Sequence, residues 1–392
     1  MRVALLTYST KPRGGVVHTL ALAEALARAG HDVSVWSLGR GGDGAFFRPV
    51  DPAVTLRLVP FPEVPAEDVG ARILRSIDVL GSAFAASPDR YDVVHAQDCI
   101  SANAVPDCIR TVHHLDTFTT PELAACHERA IVRPRALVCV SAAVAAEVAT
   151  GWGRVPTVIP NGVEAARFAA AAGPGGAPGR RRWRDRLGRY VLAVGGIEPR
   201  KGTLDLVEAF AQVAARRPDL SLVVAGGETL FDYRDYRARV EARADELGVS
   251  PVVLGPVDHA ALPALVAAAD VFAFPSTKEG FGLAAMEALA AGVPVVTRDL
   301  PVLREVFGDA VSFATTPTEL AGALLAAGGD APARARGRAL ASRHSWDAAA
   351  ASTSALYQAL GAGVTAGDGG VRGSVERVLP SDRVSSRRDM DK

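Results

Sequence analysis

PSTKEGFGLAAMEALAAGVPVV, residues 275–296, is the stretch on which the reading of the fold turns. A short apolar run, Val271–Phe274, leads into it, a Gly280-Phe281-Gly282 turn follows, and a helical pattern begins at Leu283. Strand, glycine turn and helix start, in that order, present free backbone N–H groups to an anion. Glycine suits the turn because an anion must approach the backbone closely with no Cβ in the way. Leu283, Met286, Leu289 and Ala290 recur at helical spacing and are expected to face a core. Glu279 and Glu287 are eight positions apart, a little over two helical turns. That spacing alone proves nothing, since charged residues recur on any solvated helix face.

The surrounding letters carry more. Pro275-Ser276, Glu279-Gly280-Phe281-Gly282, Glu287-Ala288 and Gly292-Val293-Pro294-Val295-Val296 together strongly resemble the donor-site signature of retaining glycosyltransferases of the GT-B fold, family 4, the group 1 type. The resemblance covers about residues 1–360, with its specific motifs in 190–300. It implies an α/β protein of two Rossmann-like, doubly wound parallel-sheet domains facing an interdomain cleft. It also implies transfer of a sugar from a nucleotide-diphosphate donor (UDP- or GDP-linked) to an acceptor hydroxyl on a lipid, glycan or small metabolite. On that resemblance Glu287 is expected to accept hydrogen bonds from ribose hydroxyls and Glu279 to orient the sugar. The amides of Gly280, Phe281, Gly282 and Leu283 are expected to hold the diphosphate.

Strand-like and helix-like runs alternate along most of the chain, as parallel α/β folds require. Strands are expected near Val3–Thr7, Val33–Trp36, Val93–His95, Ile109–Val112, Ala136–Val140 and Val158–Ile159 in the first half. In the second they are expected near Tyr190–Val194, Leu222–Ala225, Val252–Leu254, Val271–Phe274, Val295–Thr297 and Val311–Phe313. The predicted organisation is an acceptor domain over 1–165, a linker over 166–188 and a donor domain over 189–344. A final helix, 345–361, is expected to pack back on the first domain, and 362–392 reads as a disordered tail. The Ala/Gly/Pro-rich run 169–179 predicts a mobile connector. The basic cluster 180–186 after it reads as a solvated helix start, and Gly39–Asp68 yields no legible code.

Further segments point to the same ligand. Gly195-Gly196-Ile197-Glu198-Pro199-Arg200-Lys201-Gly202 follows a strand and precedes a helix, and Lys201 matches the family's diphosphate lysine. The family's arginine after the first glycine is absent, because position 196 is Gly. Arg200 is a candidate replacement, although adjacent side chains normally point apart. Gly14-Gly15 is similar to the family's first loop and is expected to approach the donor phosphates. His113, at a strand's carboxyl end, matches the histidine that contacts the donor sugar; His114 and Asp116 follow as candidates to orient it or meet acceptor. His18 and Ser141 match cleft-facing loop positions, and Pro160-Asn161-Gly162-Val163 matches a structural turn. The expected catalytic set is Glu279, His113 and Lys201. Gly14, Gly15, Arg200 and Gly280–Leu283 with Glu287 are the expected donor contacts, alongside Lys201.

Lys+Arg and Asp+Glu both number 43, so no global field draws the chain to nucleic acid or an anionic membrane. The first residues, MRVALLTYST, read as a strand, and no run approaches the length of a membrane span. Cys99, Cys108, Cys126 and Cys139 lack metal or redox spacing, which predicts a reduced, cytoplasmic protein with at most peripheral contact at the inner membrane face. No cofactor or metal is expected: the one Asp-x-Asp, Asp389–Asp391, falls in the tail. The competing readings are a non-catalytic nucleotide-sugar-binding protein, for which Gly196 argues, and a nucleotide-sugar epimerase on the same fold.

Overall fold

The computed structural model describes residues 1–365 except 117, 119, 228–232 and 328–330, with side chains as far as 361. The expected disordered tail thus lies outside the described residues from 366 on, and backbone through Thr365 completes the helix Trp346–Thr365. Met1–Ser354 forms one compact unit, and Ala355–Lys392 is set apart as a second.

Within the first unit the described residues form two parallel sheets. The first contains β1 (Arg2–Leu6), β2 (Asp32–Arg40), β3 (Val54–Phe61), β4 (Val93–Ala96), β5 (Ile109–Val112), β6 (Ala136–Cys139) and β7 (Thr157–Val158), in the spatial order β3-β2-β1-β4-β5-β6-β7. The second contains β8 (Arg189–Val194), β9 (Leu220–Ala225), β10 (Val252–Gly255), β11 (Val271–Phe274), β12 (Val295–Arg298) and β13 (Ser312–Ala314), in the order β10-β9-β8-β11-β12-β13. β5 and β11 are buried at every position, as strands covered on both faces by helices must be.

Both orders reverse at one place, between β1 and β4 and between β8 and β11. Loops leaving those strands diverge to opposite faces and open a crevice at the carboxyl ends. The segments there are Thr7–Arg13 and Gln97–Asp98 in the first sheet, and Gly195–Gly202 and Pro275–Gly282 in the second. The motifs read from the sequence therefore fall at the two switch points.

Two segments depart from expectation. β3 lies in the stretch that gave no code; as an edge strand it exposes Thr55, Leu56 and Arg57 and tolerates Pro60, so its pattern is not that of a buried strand. The connector is not loose chain but two helices, Ala165–Ala172 and Ala177–Leu187, joined by a 3-10 turn at Pro174–Gly176. Alanine favours helix strongly, and Arg180 closes the turn by donating to the carbonyls of Ala171 and Gly173. Arg184 of the basic cluster is anchored on Asp270 at 2.6 Å, which also accepts the Tyr190 N–H, so that side chain ties the second helix to the second sheet.

The chain returns to the first sheet after its last crossover. Val163 N donates to His344 O at 2.9 Å, and Arg28 meets Asp347 at 2.6 Å. Gly162 sits at this junction, where an added Cβ would lie 2.3 Å from Trp346 N and 2.6 Å from Trp346 Cα. Gly162→Ala is expected to lower stability by about 2 kcal/mol, because neither backbone can yield alone. Urea denaturation checks this, and an unchanged midpoint would show that the two segments separate freely.

Candidate active site

β8 is followed by Gly195, whose φ of 147° no L side chain adopts readily, and the chain then makes a 3-10 turn at Pro199–Lys201. An added Cβ on Gly195 would lie 3.2 Å from Lys201 Cε, so the lysine lies back along the loop. Lys201 Nζ donates to Glu279 Oε1 at 2.6 Å. Arg200 Nη1 donates to the same oxygen at 3.1 Å, while its Nη2 reaches Glu198 Oε1 at 2.7 Å. The adjacent side chains converge instead of pointing apart. The tight turn and the pairing of Thr277 N with Arg200 O at 2.8 Å hold Arg200 against the Glu279 loop.

Burial pushes the Glu279 carboxyl upward, but the charges of Lys201 and Arg200 outweigh it and hold the group down at about 2. It is an anion at any physiological pH. The turn that follows is shaped by close approach: an added Cβ on Gly280 would lie 1.5 Å from His113 O, and Gly282 has φ 95°. Phe281 is buried in the core against His344, with ring centroids 5.5 Å apart, so only its backbone faces a ligand. The helix Leu283–Ala290 begins here with no side-chain cap, leaving its first N–H groups available.

Glu287 and Leu283 lie on that helix and line a small cavity with Glu164, Arg48 and Trp346, which has room for about one water molecule. Burial and the nearby Glu164 charge push the Glu287 carboxyl up to about 8, against the opposing effect of Arg167. At neutral pH Glu287 therefore carries a proton more often than not, and can donate as well as accept.

The first sheet supplies the opposite wall. Gly14 faces open space, whereas a Cβ on Gly15 would meet the His113 ring at 3.5 Å. His113 packs edge-on against His18, with centroids 4.7 Å apart, and His18 packs in turn on Trp346 at 5.3 Å. His18 Nδ1 pairs with Asn161 Oδ1 at 2.9 Å. Burial drives both imidazoles toward the neutral form: His18 falls to about 4 and His113 well below its usual value. Nε2 of His113, Nε2 of His18 and both amide atoms of Gln97 are buried without a partner among the described residues. Buried polar atoms are normally paired, and such exceptions need a reason. Here several lie around Gly15, whose Cβ position is also 4.0 Å from Gln97 O.

Sequence reasoning overlooked Gln97, although a polar residue directly after β4 at a switch point was a usable signal. His18 lies on the helix Gly14–Arg28, not in a loop. Ser141 is a helix N-cap that accepts from Val144 N at 3.3 Å. His114 and Asp116 pair with each other at 3.2 Å. No group of metal-ligating residues is found among the described residues.

The two walls are also joined beyond the site. Glu305 accepts from Ala142 N at 2.7 Å and Ala143 N at 2.8 Å, capping a helix of the first sheet from the second. With Gly280 pressed on His113 O, this is a closed arrangement, and a nucleoside diphosphate needs a pocket of a few hundred Å³ at least. The seam must open to admit one.

Comparison with known proteins agrees with this architecture. A family model described as glycosyl transferases group 1 matches residues 184–336, and one described as glycosyltransferase family 4 matches 12–167. A phosphatidyl-myo-inositol mannosyltransferase of Mycolicibacterium smegmatis is 30% identical over 93% of this chain and 95% of its own. Among solved structures, a sucrose-phosphate synthase from Thermosynechococcus elongatus superposes with a TM-score of 0.75 at 21% identity, covering 92% of this chain and 99% of that one. An Anabaena protein, HepE, in complex with UDP-glucose gives 0.68 at 21% identity over 93% and 99%. The fold is GT-B.

Glu287 yields a pH prediction. Unfolded, it titrates near 4.5; folded, near 8. The folded chain thus keeps a proton that the unfolded chain loses, and the stability this contributes is complete below pH 4.5 and is lost as pH rises through 8. Glu287→Gln, which cannot ionise, is expected to flatten that slope and to melt above the parent at about pH 9. Thermal melts across pH check it, and parallel profiles for the two proteins would show that Glu287 ionises normally.

Proposed function

The chain belongs to the group 1, family 4 glycosyltransferases, and from that premise we propose that it moves a sugar from a nucleotide-diphosphate donor to an acceptor hydroxyl, with retention of configuration and without a divalent ion. The observation that carries the proposal is the convergence of Lys201 and Arg200 on Glu279, beside the uncapped helix start at Gly282–Leu283. Two fixed cations and a set of free N–H groups are what a leaving diphosphate requires when no metal neutralises it. Arg200 also weakens the case for a mere binder, because it supplies the second cation missing at Gly196.

In this mechanism the diphosphate lies over Lys201, Arg200 and the Gly280–Leu283 amides. Glu287 meets the ribose hydroxyls, its proton free to donate to one oxygen while its other oxygen accepts. Glu279 turns from its cations to a sugar hydroxyl and fixes the ring beside His113. Neutral His113 accepts from, or donates to, another sugar hydroxyl through Nε2. The C–O bond to the diphosphate breaks as the acceptor oxygen approaches from the same face, and the departing phosphate oxygen takes the acceptor proton. Gly14 and Gly15 border this face. The UDP-glucose complex of the Anabaena protein supports testing UDP-sugars first, with GDP-sugars alongside. No helix among the described residues is long and apolar enough to cross a membrane, so contact with a lipid acceptor would be peripheral.

Lys201→Ala and Glu279→Ala are each expected to cut kcat by about 100-fold or more, while the far-ultraviolet circular dichroism stays that of the parent. A thermal-shift panel of UDP-, GDP- and ADP-sugars selects the donor, and anomer-resolved NMR of the product in the presence of EDTA tests retention and metal independence. Undiminished turnover in both variants would end this reading.

A further inference from the structure

Arg298 closes β12, and its side chain is largely buried. All three guanidinium nitrogens are engaged, each with a different segment of the chain. Nε donates to Pro275 O at 3.1 Å, Nη1 to Thr315 O at 2.8 Å, and Nη2 to the Asp205 carboxylate. Pro275 follows β11 and opens the loop that carries Glu279. Asp205 lies in the first turn of the helix Thr203–Ala214, shortly after Lys201. Thr315 follows β13, and its N–H donates to Glu319 Oε2 at 2.7 Å, beside the capping box that starts the helix Pro317–Ala326.

The two site loops press together where this guanidinium crosses them. Gly202, directly after Lys201, has φ 65°, and a Cβ on it would lie 2.2 Å from Pro275 O and 3.3 Å from Arg298 Nη2. Thr277 N, donating to Arg200 O at 2.8 Å, is a second tie between the same loops. None of the Arg298 bonds goes to Lys201, Arg200 or Glu279, so Arg298 acts on those side chains only through the segments that carry them. Removing the guanidinium leaves two carbonyls without this donor and a carboxylate without its cation. Water entering between the loops is the readiest replacement, and it would part them. An ammonium does not hold the arrangement, because it lacks the planar fork that aims its donors in fixed directions.

We propose that Arg298 is a positioning residue: its guanidinium joins the root of the Lys201 loop to the root of the Glu279 loop, so that both meet a diphosphate as one rigid unit. The joining stands on the ligand-free geometry alone; the diphosphate rests on the glycosyl-transfer reading. The spacing fixed in this way runs from the Lys201 and Arg200 cations to the Gly280–Leu283 amides, and a diphosphate must span it. Glu287 is placed differently, on the helix Leu283–Ala290, whose Ala285, Met286, Ala288 and Leu289 are buried in the core. A nucleoside is therefore positioned without Arg298, whereas its diphosphate is not.

The test uses the full chain and two readouts. Hydrogen–deuterium exchange of the ligand-free protein comes first. Arg298→Gln is expected to speed exchange of the amides in 199–204 and 276–282 together, by about tenfold or more. Acceleration confined to 298–300 and 315–316, or none at all, would overturn the proposal, whatever any nucleotide does. Affinity is the second readout, for the nucleoside diphosphate selected by the donor panel and for its monophosphate. Arg298→Gln is expected to bind the diphosphate about tenfold more weakly, and the monophosphate within about twofold of the parent. Equal losses for both ligands would show a general folding defect and count against a positioning role. Arg298→Lys keeps the charge without the fork, and is expected to recover most of the melting temperature but little of the diphosphate affinity. Full recovery of that affinity would show that charge alone matters, and the proposal would fall. Asp205→Asn is expected to weaken the diphosphate too, and to add less than about twofold when combined with Arg298→Gln; full additivity would contradict a shared tie. If no nucleotide binds the parent, the donor reading fails, and the exchange result alone decides for Arg298.

Discussion

A single carboxylate, Glu279, holds two cations together at the carboxyl ends of the second sheet. Lys201 and Arg200 are neighbours in sequence and carry like charges, which would splay apart in water. Glu279 Oε1 draws both together at 2.6 Å and 3.1 Å, and Glu198 secures the far side of the guanidinium. The cluster is thereby neutral before any ligand arrives, so its burial is tolerable. It is also replaceable, because a diphosphate brings two or more oxygens of the same kind that Glu279 offers. In the proposed mechanism this exchange passes the cations from carboxylate to phosphate without moving them far, which is the sense in which the site is preorganised.

That exchange depends on a second constraint, the close approach of the two walls. Gly280 packs on His113 O with no space for a Cβ, and Glu305 reaches across to cap the helix that begins at Ala142. These contacts help bury the Glu279 carboxyl, which strengthens its interaction with the two cations. They also bar entry, so binding requires the seam to part and re-form. The contacts mix polar pairs with an apolar cluster that includes Val140, Phe281 and Phe307.

The donor half was legible in the sequence because its chemistry is local. A glycine turn, a helix start and a lysine before the next helix all fall within short stretches, and their order dictates their geometry. The first wall was much less so. His18 and Asn161 pair across 143 positions, and Trp346 comes from later still; only the sheet order brings them together. Gln97 carried no motif, and its two unpartnered amide atoms identify it only once the fold is known. Arg200 was misjudged on the rule that adjacent side chains diverge, which a 3-10 turn between two glycines does not obey. β3 escaped notice because an edge strand with polar faces and a proline resembles a loop.

The protonation states sharpen what each wall can do. His113 and His18 are both neutral at physiological pH, held so by burial, with His18 also acting on His113. They can align hydroxyls through hydrogen bonds but bring no positive charge to a departing diphosphate. In the proposed mechanism that work falls to Lys201, Arg200 and backbone amides on the opposite wall, where Glu279 holds the two cations together. Glu287, conversely, retains a proton near neutrality and so adds little negative charge to the second wall. The division follows from placement: the fixed cations Lys201 and Arg200 lie on the second sheet's wall and the neutral imidazoles of His18 and His113 on the first. A protonated His113 would compete with Lys201 for the same phosphate oxygens and drag the donor across the seam. Its burial beside His18 prevents that.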